Sequence, residues 1–222
     1  MIVAIDGPAG SGKGTVTKIL ADRLGLINLD TGATYRCVAL MTLKNNYTLE
    51  DESKIVDLLP NIDIEFKREN GEEKVFLNGE DVTKEIRSKE VNKIVSQVSG
   101  ITPVRIYMAE LQRKMAKGKD VIMEGRDIGT YVFPNAEVKI YLDADVEERA
   151  KRRYKENLEK GVDMSYEEVL DNIKKRDEND KNKEIGALKV ADGAIIVDTT
   201  SKTIEEVANE IENIIKLHSK KD

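Results

Sequence analysis

The sequence predicts an α/β protein in which five strands form a parallel sheet with helices on both faces. Two observations predict this fold class. Short apolar segments alternate with patterns of helical spacing along the chain. A glycine-rich segment directly follows the first apolar segment, at a point where many α/β proteins turn from a strand into a helix. Strands that alternate with helices run parallel, because each crossover needs the length of a helix.

The apolar segments have the length and composition of buried strands, and they are Ile2–Asp6, Leu26–Asp30, Val121–Glu124, Val138–Asp143 and Ala194–Asp198. Capping boxes mark the start of two later helices, where Ser165 precedes Glu168 and Thr203 precedes Glu206. One apolar stripe after the second box predicts that the last helix packs on the sheet. The stripe consists of Ile204, Val207, Ala208, Ile211, Ile214 and Ile215.

Two stretches interrupt the alternation of strands and helices. Between Asp63 and Thr83, apolar runs flank a polar turn at 69–72 and the turn Asn78-Gly79, which is typical of antiparallel hairpins. From about 149 to 183 the chain is highly charged and helical. We therefore expect one unit over 1–222, with a core at 1–36, 84–148 and 184–222, an insertion at about 37–83 and a second excursion at about 149–183.

Composition disfavours several classes of function. The 222 residues carry 36 basic and 42 acidic side chains, a net charge of −6, so no broad positive field predicts binding to nucleic acid or to a membrane. One cysteine, Cys37, permits no internal disulfide, and neither a basic leader nor a long apolar run is present, so we expect a cytoplasmic protein. The single histidine, His218, lies in a polar tail, which disfavours hydrolases that need a histidine base.

The strongest chemical signal is the glycine-rich segment that follows the first strand. It has the spacing Gly-x4-Gly-Lys of a phosphate-binding P-loop and consists of Gly7, Pro8, Ala9, Gly10, Ser11, Gly12, Lys13, Gly14 and Thr15. Small residues let backbone N–H groups converge on phosphate oxygens, and Lys13 adds a mobile positive charge. The segment predicts a P-loop NTPase-type fold that holds a nucleoside triphosphate and passes its terminal phosphate to an acceptor.

The metal site that accompanies such a loop departs from the general pattern. Gly14 stands where most P-loops carry a serine or threonine that touches Mg²⁺, and Thr15 comes one place later. We therefore expect no direct protein ligand, with Mg²⁺ held by phosphates and waters and a carboxylate ordering that shell. Glu124 is the natural candidate for this carboxylate, and Asp6 and Asp30 stay open as alternatives because they also end strands.

Three arginines are placed to meet an acceptor. Arg36 and Arg126 follow strands at the edge of the sheet where open α/β proteins bind ligands. Arg105 lies in the first turn of a helix that Thr102 and Pro103 start, where the helix dipole disfavours a cation. Guanidinium groups bind phosphate by paired hydrogen bonds, so an acceptor phosphate is the expected ligand of Arg36 and Arg126, with a surface position or surface ion pair as the alternative. The unfavourable place of Arg105 in its helix indicates that it has another role.

The charged excursion carries two polar groups at helical spacing. One consists of Arg149, Arg152 and Arg153, and the other of Arg176, Asp180 and Lys183. Phosphoryl transfer needs positive charge around the moving phosphate and exclusion of water, which a closing arginine-bearing lid supplies. A solvated helical pair is the alternative.

Taken together, the motifs resemble the bacterial-type cytidylate kinase family over nearly the whole chain. The resemblance rests on GPAGSGKGT, DTGATYR (Asp30–Arg36), SQVS with Arg105, GRDIGT (Gly125–Thr130) and RDENDKNK (Arg176–Lys183). It implies a P-loop core, a monophosphate-binding insertion with a small antiparallel sheet, and a short lid. It further implies transfer of phosphate from ATP to CMP or dCMP with Mg²⁺, by a monomer whose partners are these small molecules.

The resemblance also implies residue roles. Catalytic roles fall to Lys13, Arg126, Arg149, Arg152 and Arg153. Acceptor-phosphate and pocket contacts fall to Thr31, Tyr35, Arg36, Arg126 and Asp127, cytosine contacts to Ser96 and Arg105, and the ribose end to Arg176 and Asp180. Two positions depart from the family's pattern. Lys183, which the resemblance places in substrate binding, stands where family members often carry an arginine that reaches the base, and Glu124 stands where an aspartate is common.

Three rival functions stay open at this stage. Adenylate kinase shares the GKGT loop but not the acceptor motifs. A GTPase-type switch needs an Asn-Lys-x-Asp motif, whereas Asn92-Lys93 and Asn182-Lys183 are not followed by aspartate at that spacing. A non-catalytic ATP-binding module would turn over no monophosphate.

Overall fold

The computed structural model describes residues 1–69, 72–159 and 161–219. The strands are β1 (Ile2–Asp6), β2 (Ile27–Asp30), β3 (Ile64–Glu69), β4 (Glu72–Leu77), β5 (Glu80–Asp81), β6 (Val121–Gly125), β7 (Val138–Asp143) and β8 (Ile195–Asp198). The helices are α1 (Lys13–Leu24), α2 (Thr31–Lys44), α3 (Glu52–Leu58), α4 (Lys89–Val98), α5 (Thr102–Ala116), α6 (Val146–Glu159), α7 (Tyr166–Lys181) and α8 (Ile204–Ser219). None of these helices is long and apolar enough to cross a membrane.

The chain divides into two compact units. One comprises residues 1–28 and 116–222, and the other residues 29–115. The boundaries expected for the core, the insertion and the lid divide the chain by function, and they stay a prediction.

The first unit is built on a five-stranded sheet in the order β2-β6-β1-β7-β8. Strand β1 pairs in parallel with β6 and β7, and β7 pairs in parallel with β8. The predicted fold class is thus confirmed, and each predicted strand is found with its ends within one residue. The register places Asp6 opposite Gly125 of β6 and Tyr141 of β7, so the ends of the central strands meet at one edge.

Helices α1 and α8 contribute to one hydrophobic cluster with the sheet. Val16 and Leu20 of α1 and Ile211 of α8 are fully buried in it, together with strand residues such as Ile5 and Leu142. The capping box of α8 forms as predicted, because Thr203 and Glu206 exchange hydrogen bonds between side chain and backbone. Four residues of its apolar stripe are buried, Ile214 is partly buried and Ile204 is 36% exposed. The buried residues are Val207, Ala208, Ile211 and Ile215.

Helices α6 and α7 form a hairpin of their own in the same unit. Ala150, Val169 and Ile173 are buried between them. The predicted capping box at Ser165 and Glu168 starts α7. Gly161, in the connection, has a φ of 69°, which glycine adopts without steric cost.

The second unit packs α2, α4 and α5 with a three-stranded antiparallel sheet in the order β3-β4-β5. The hairpin between β4 and β5 turns at Asn78 and Gly79, whose φ angles are 51° and 83°, as a two-residue turn of this kind requires. The Asn78 side chain also accepts a hydrogen bond from the Asp63 amide at 2.8 Å. The antiparallel hairpins are confirmed, although Asn70 and Gly71 of the predicted turn at 69–72 lie outside the described residues.

Candidate active site

The P-loop forms as predicted between β1 and α1. Gly7, Gly10 and Gly12 have φ angles of 152°, 78° and 90°, and α1 begins at Lys13. A Cβ atom on Gly7 would lie 2.1 Å from the backbone oxygen of Leu142, so only glycine fits there. The loop is therefore fixed by backbone packing on the end of β7, and Gly14 and Thr15 are exposed in the first turn of α1.

Lys13 is the buried cation of this loop, with 4% of its surface exposed. Its Nζ donates to the Pro8 carbonyl at 2.7 Å and lies 3.4 Å from Ser11 Oγ. Burial and the nearby cations of Arg126 and Arg176 together lower the pKa of Lys13 to about 7, against the opposing pull of Glu124 and Asp6. A buried ammonium at the start of a helix, with two further cations nearby, is an arrangement that the oxygens of a polyphosphate fit.

The structure separates the three candidate carboxylates by their partners. Glu124 faces the P-loop, since a Cβ atom on Gly14 would lie 2.8 Å from its Oε1. Asp6 is buried and accepts from the backbone amides of Ile128 and Gly129. Asp30 caps α2 by accepting from the Ala33 amide at 3.0 Å. Of the three carboxylates, Glu124 is the one whose position beside the P-loop is seen, and its role at a metal stays a prediction. The described part of the chain has no cluster of three or more metal-binding side chains.

A second group of charges surrounds Asp180, at the end of α7. Its carboxylate accepts from Arg126 Nε at 2.8 Å and from Lys183 Nζ at 2.7 Å. Burial raises the pKa of Asp180, but the cations of Arg126 and Lys183 outweigh burial and hold it well below its usual range, with Arg176 acting in the same direction. The structure thus brings Arg126, Asp180 and Lys183 together, while Lys183 lies just beyond the end of α7.

Arg149 braces the P-loop from α6. It is 5% exposed, and its NH1 donates to the Ala9 carbonyl at 3.0 Å. The same guanidinium forms a paired contact with Asp177 of α7, with N–O distances of 3.2 and 2.7 Å, and its Nε donates to the Ala144 carbonyl at 3.0 Å. Asp177 was not singled out from the sequence, because nothing in the spacing of 28 residues indicates the pair.

The two other arginines of α6 have different surroundings. Arg152 donates to the Thr199 carbonyl at 2.5 Å and the Thr199 hydroxyl at 3.1 Å, and that hydroxyl in turn donates to Ser11 of the P-loop at 3.3 Å. Arg153 is exposed and pairs with Glu156 at 2.9 Å. Their expected lid roles stay a prediction.

In the second unit, the residues expected to read the base lie on α4 and α5. Arg105 is 2% exposed, donates to the Ser99 carbonyl at 3.0 Å and lies 5.4 Å from the centre of the Tyr35 ring. The Ser96 hydroxyl oxygen is buried and has no hydrogen-bond partner within the described residues. The second unit thus contains a buried guanidinium that donates hydrogen bonds, from Arg105, and a buried hydroxyl oxygen that can accept one, from Ser96.

Helix α2 carries the remaining acceptor candidates. Arg36 donates to the side chain of Asn92, and Thr31 is buried at the start of the helix. Sequence reasoning missed Gln112, which is 1% exposed and donates from Nε2 to the Thr34 hydroxyl at 2.9 Å. Its spacing of seven residues from Arg105 places both on one face of α5, and this was the available signal.

Comparison with known proteins identifies the family. The family model described as cytidylate kinase matches residues 3–217. The chain belongs to the cytidylate kinase family. This confirms the resemblance inferred from the motifs.

Relatives in the cytidylate kinase family match at high identity. The chain is 53% identical to the cytidylate kinase of Caldicellulosiruptor bescii over 209 residues, which cover 94% of this chain and 92% of the relative. It is 46% identical to the cytidylate kinase of Bacillus subtilis over 218 residues, which cover 98% and 97%. Among solved structures, an uncharacterized protein from Eubacterium ventriosum matches this cytidylate kinase family member with a TM-score of 0.52 and 14% identity. The match covers 97% of this chain and 98% of the other, and at this identity it shows the fold alone.

Proposed function

We propose that this chain phosphorylates CMP and dCMP to CDP and dCDP with ATP and Mg²⁺, by direct in-line transfer. The observation that carries the proposal is the buried Lys13 in a glycine cradle, with Arg126 and Arg176 among the causes that lower its pKa. Cations grouped in this way suit a transferring phosphate, since catalysis of phosphoryl transfer is mostly positioning and charge stabilisation.

On the donor side, backbone amides of the P-loop and the Lys13 ammonium hold the triphosphate of ATP. Small residues at Gly7, Gly10 and Gly12 allow that approach of the backbone. Mg²⁺, when bound, neutralises charge on the phosphate oxygens. Glu124 would order the water shell of this metal.

On the acceptor side, we assign binding of the monophosphate to Arg36 and Arg126, and further acceptor contacts to Thr31, Tyr35 and Asp127. Arg126 pairs with Asp180 through Nε at 2.8 Å, and its NH1 and NH2 groups carry the further donors that a phosphate would use. Arg176 and Asp180 hold the ribose. Arg149, Arg152 and Arg153 act as the lid arginines, and closure with both nucleotides bound keeps hydrolysis of ATP alone slow.

The base is chosen in the second unit by Ser96 and Arg105. Cytosine carries an exocyclic amine that donates and ring positions that accept, so it matches a hydroxyl acceptor beside a guanidinium donor. The buried, unpartnered oxygen of Ser96 supports this assignment, because a buried acceptor without a donor is costly until a ligand satisfies it.

We expect the enzyme to act as a cytoplasmic monomer on these small molecules.

The test is an acceptor screen with ATP, Mg²⁺ and CMP, dCMP, UMP, AMP or GMP. We expect CMP and dCMP to be preferred, and Lys13→Ala to lose about 10²- to 10³-fold in turnover because a preorganised positive group is lost. Lys18→Ala is the matched control, since Lys18 is an exposed lysine of the same helix. A preference for AMP would indicate an adenylate kinase, and no turnover of any monophosphate would indicate a binding module.

A further inference from the structure

Asp6 is a buried carboxylate that the proposed mechanism does not use. It ends β1, is 3% exposed, and lies opposite Gly125 in the sheet. Its Oδ1 accepts from the Ile128 amide at 2.8 Å and its Oδ2 from the Gly129 amide at 2.7 Å. Each carboxylate oxygen therefore has its own amide donor from one short segment.

That segment is a π-helical turn over Ile128–Val132, which begins directly after Arg126 and Asp127. The Asp127 carbonyl accepts from the amides of Tyr131 and Val132 at 2.8 and 3.1 Å. The Asp127 side chain caps none of the amides of the turn, although aspartate at this position usually does so. The first two amides of the turn are satisfied from β1 instead.

We propose that Asp6 is a positioning residue for the acceptor: by holding the amides of Ile128 and Gly129, it fixes the backbone that presents Arg126 and Asp127. The proposal rests on the proposed function, in which these two residues contact the monophosphate. Gly125, before the two residues, is fixed by pairing in the sheet, and Ile128 and Gly129, after them, are fixed by hydrogen bonds to Asp6. The backbone of Arg126 and Asp127 is therefore restrained at both ends.

The role requires a carboxylate rather than an amide. Two amide donors face two acceptor oxygens, and asparagine would offer one oxygen and turn its NH₂ group against the second donor. Burial raises the pKa of Asp6 to about 6 against the opposing effect of its two amide bonds, with Asp127 raising it and Lys13 lowering it. The carboxylate is therefore ionised near neutral pH, where it makes both charge-assisted bonds.

The test compares wild type with Asp6→Asn in steady-state kinetics for CMP and for ATP. We expect the CMP KM to rise about 10- to 100-fold, the scale of one or two charge-assisted hydrogen bonds, while the ATP KM changes by less than about threefold. Asp51→Asn is the matched control, because Asp51 also accepts from a backbone amide, that of Thr48 at 2.9 Å, in an exposed loop before α3. The control should keep both KM values.

A double-variant cycle separates positioning from general destabilisation. If Asp6 acts through Arg126, Asp6→Asn adds less to the CMP KM of Arg126→Ala than it adds to wild type. Additive losses, or an unchanged CMP KM in folded Asp6→Asn, would overturn the inference while leaving the proposed function intact. A wild type that does not phosphorylate CMP would remove both.

If Asp6→Asn does not fold, Gly129→Ala tests the same geometry. Its Cβ would lie 3.2 Å from the Ala191 side chain and 3.3 Å from Lys139 Cδ, which is tighter than ordinary contact, and 3.4 Å from Asp6 Oδ2. We expect relief of these contacts to move the Gly129 amide and so to alter its hydrogen bond to Asp6. A raised CMP KM with an unchanged ATP KM is expected, and wild-type kinetics in this variant would refute the positioning role.

Discussion

Replacing Arg149 with alanine is the sharpest test of how the P-loop is supported. The substitution removes hydrogen bonds to the carbonyls of Ala9 and Ala144 and leaves the carboxylate of Asp177, 9% exposed, without its cation. Loss of one partner from a buried ion pair costs about 3–5 kcal/mol. We expect Arg149→Ala to lose that much unfolding free energy.

The assay is chemical denaturation followed by circular dichroism, with ATP KM measured in parallel. Arg153→Ala is the matched control on the same helix, because its pair with Glu156 is exposed and such pairs contribute about 0–1 kcal/mol. The ATP KM should rise in Arg149→Ala, since the Ala9 carbonyl loses its donor and the loop loosens.

The double variant Arg149→Ala/Asp177→Ala sharpens the result. Removing Asp177 as well relieves the uncompensated carboxylate, so the double variant should be more stable than Arg149→Ala alone. If Arg149→Ala unfolds at the same denaturant concentration as Arg153→Ala and keeps the wild-type ATP KM, the bracing role is refuted.

Three further predictions follow from individual side chains. Burial, together with the charges of Arg126 and Arg176, lowers the pKa of Lys13 from 10.5 to about 7. Between those pH values the unfolded chain binds more protons than the folded one, so the free energy of unfolding rises with pH. Lys13→Met should lack that rise in denaturation curves measured from about pH 7 to 10, and an equal slope in both proteins would contradict the assignment. Gly7→Ala should raise the ATP KM strongly, because its Cβ would collide with a backbone oxygen. Gly25→Ala, with open space around it, should leave the ATP KM unchanged. Similar ATP KM values in the two variants would argue against packing of the P-loop as the reason for glycine at position 7. Lys183→Arg should increase the preference for CMP over UMP, measured as the ratio of their kcat/KM values, by the equivalent of about 1 kcal/mol at most. Arg105→Ala should decrease this preference. An unchanged preference in Arg105→Ala would remove that residue from the base pocket.

The sheet could be predicted from the sequence because its signals are local. Each strand is a short apolar run, and the P-loop follows the first of them at its fixed spacing. The turn at Asn78 and Gly79 could be predicted for the same reason, since both residues tolerate positive φ.

The partners of charged side chains could not be predicted in the same way. Helical spacing groups Arg149 with Arg153, yet one is buried against Asp177 and the other pairs with Glu156 in solvent. The sequence favoured Glu124 among the strand-ending carboxylates but did not exclude Asp6 or Asp30. Only the three-dimensional register shows that Glu124 faces the P-loop, that Asp30 caps a helix and that Asp6 binds distant amides.

The bond between Asp6 and Ile128 spans 122 positions of the chain, which has a consequence for biosynthesis. Asp6 leaves the ribosome long before the turn that it holds, and residues 29–115, a separate compact unit, are made in between. The turn over Ile128–Val132 cannot obtain its first two hydrogen-bond acceptors until β6 has docked beside β1. Contacts between residues far apart in sequence form slowly, and domains fold largely in the order of their synthesis. We therefore expect the second unit to form its own core before β1 pairs with β6 and β7.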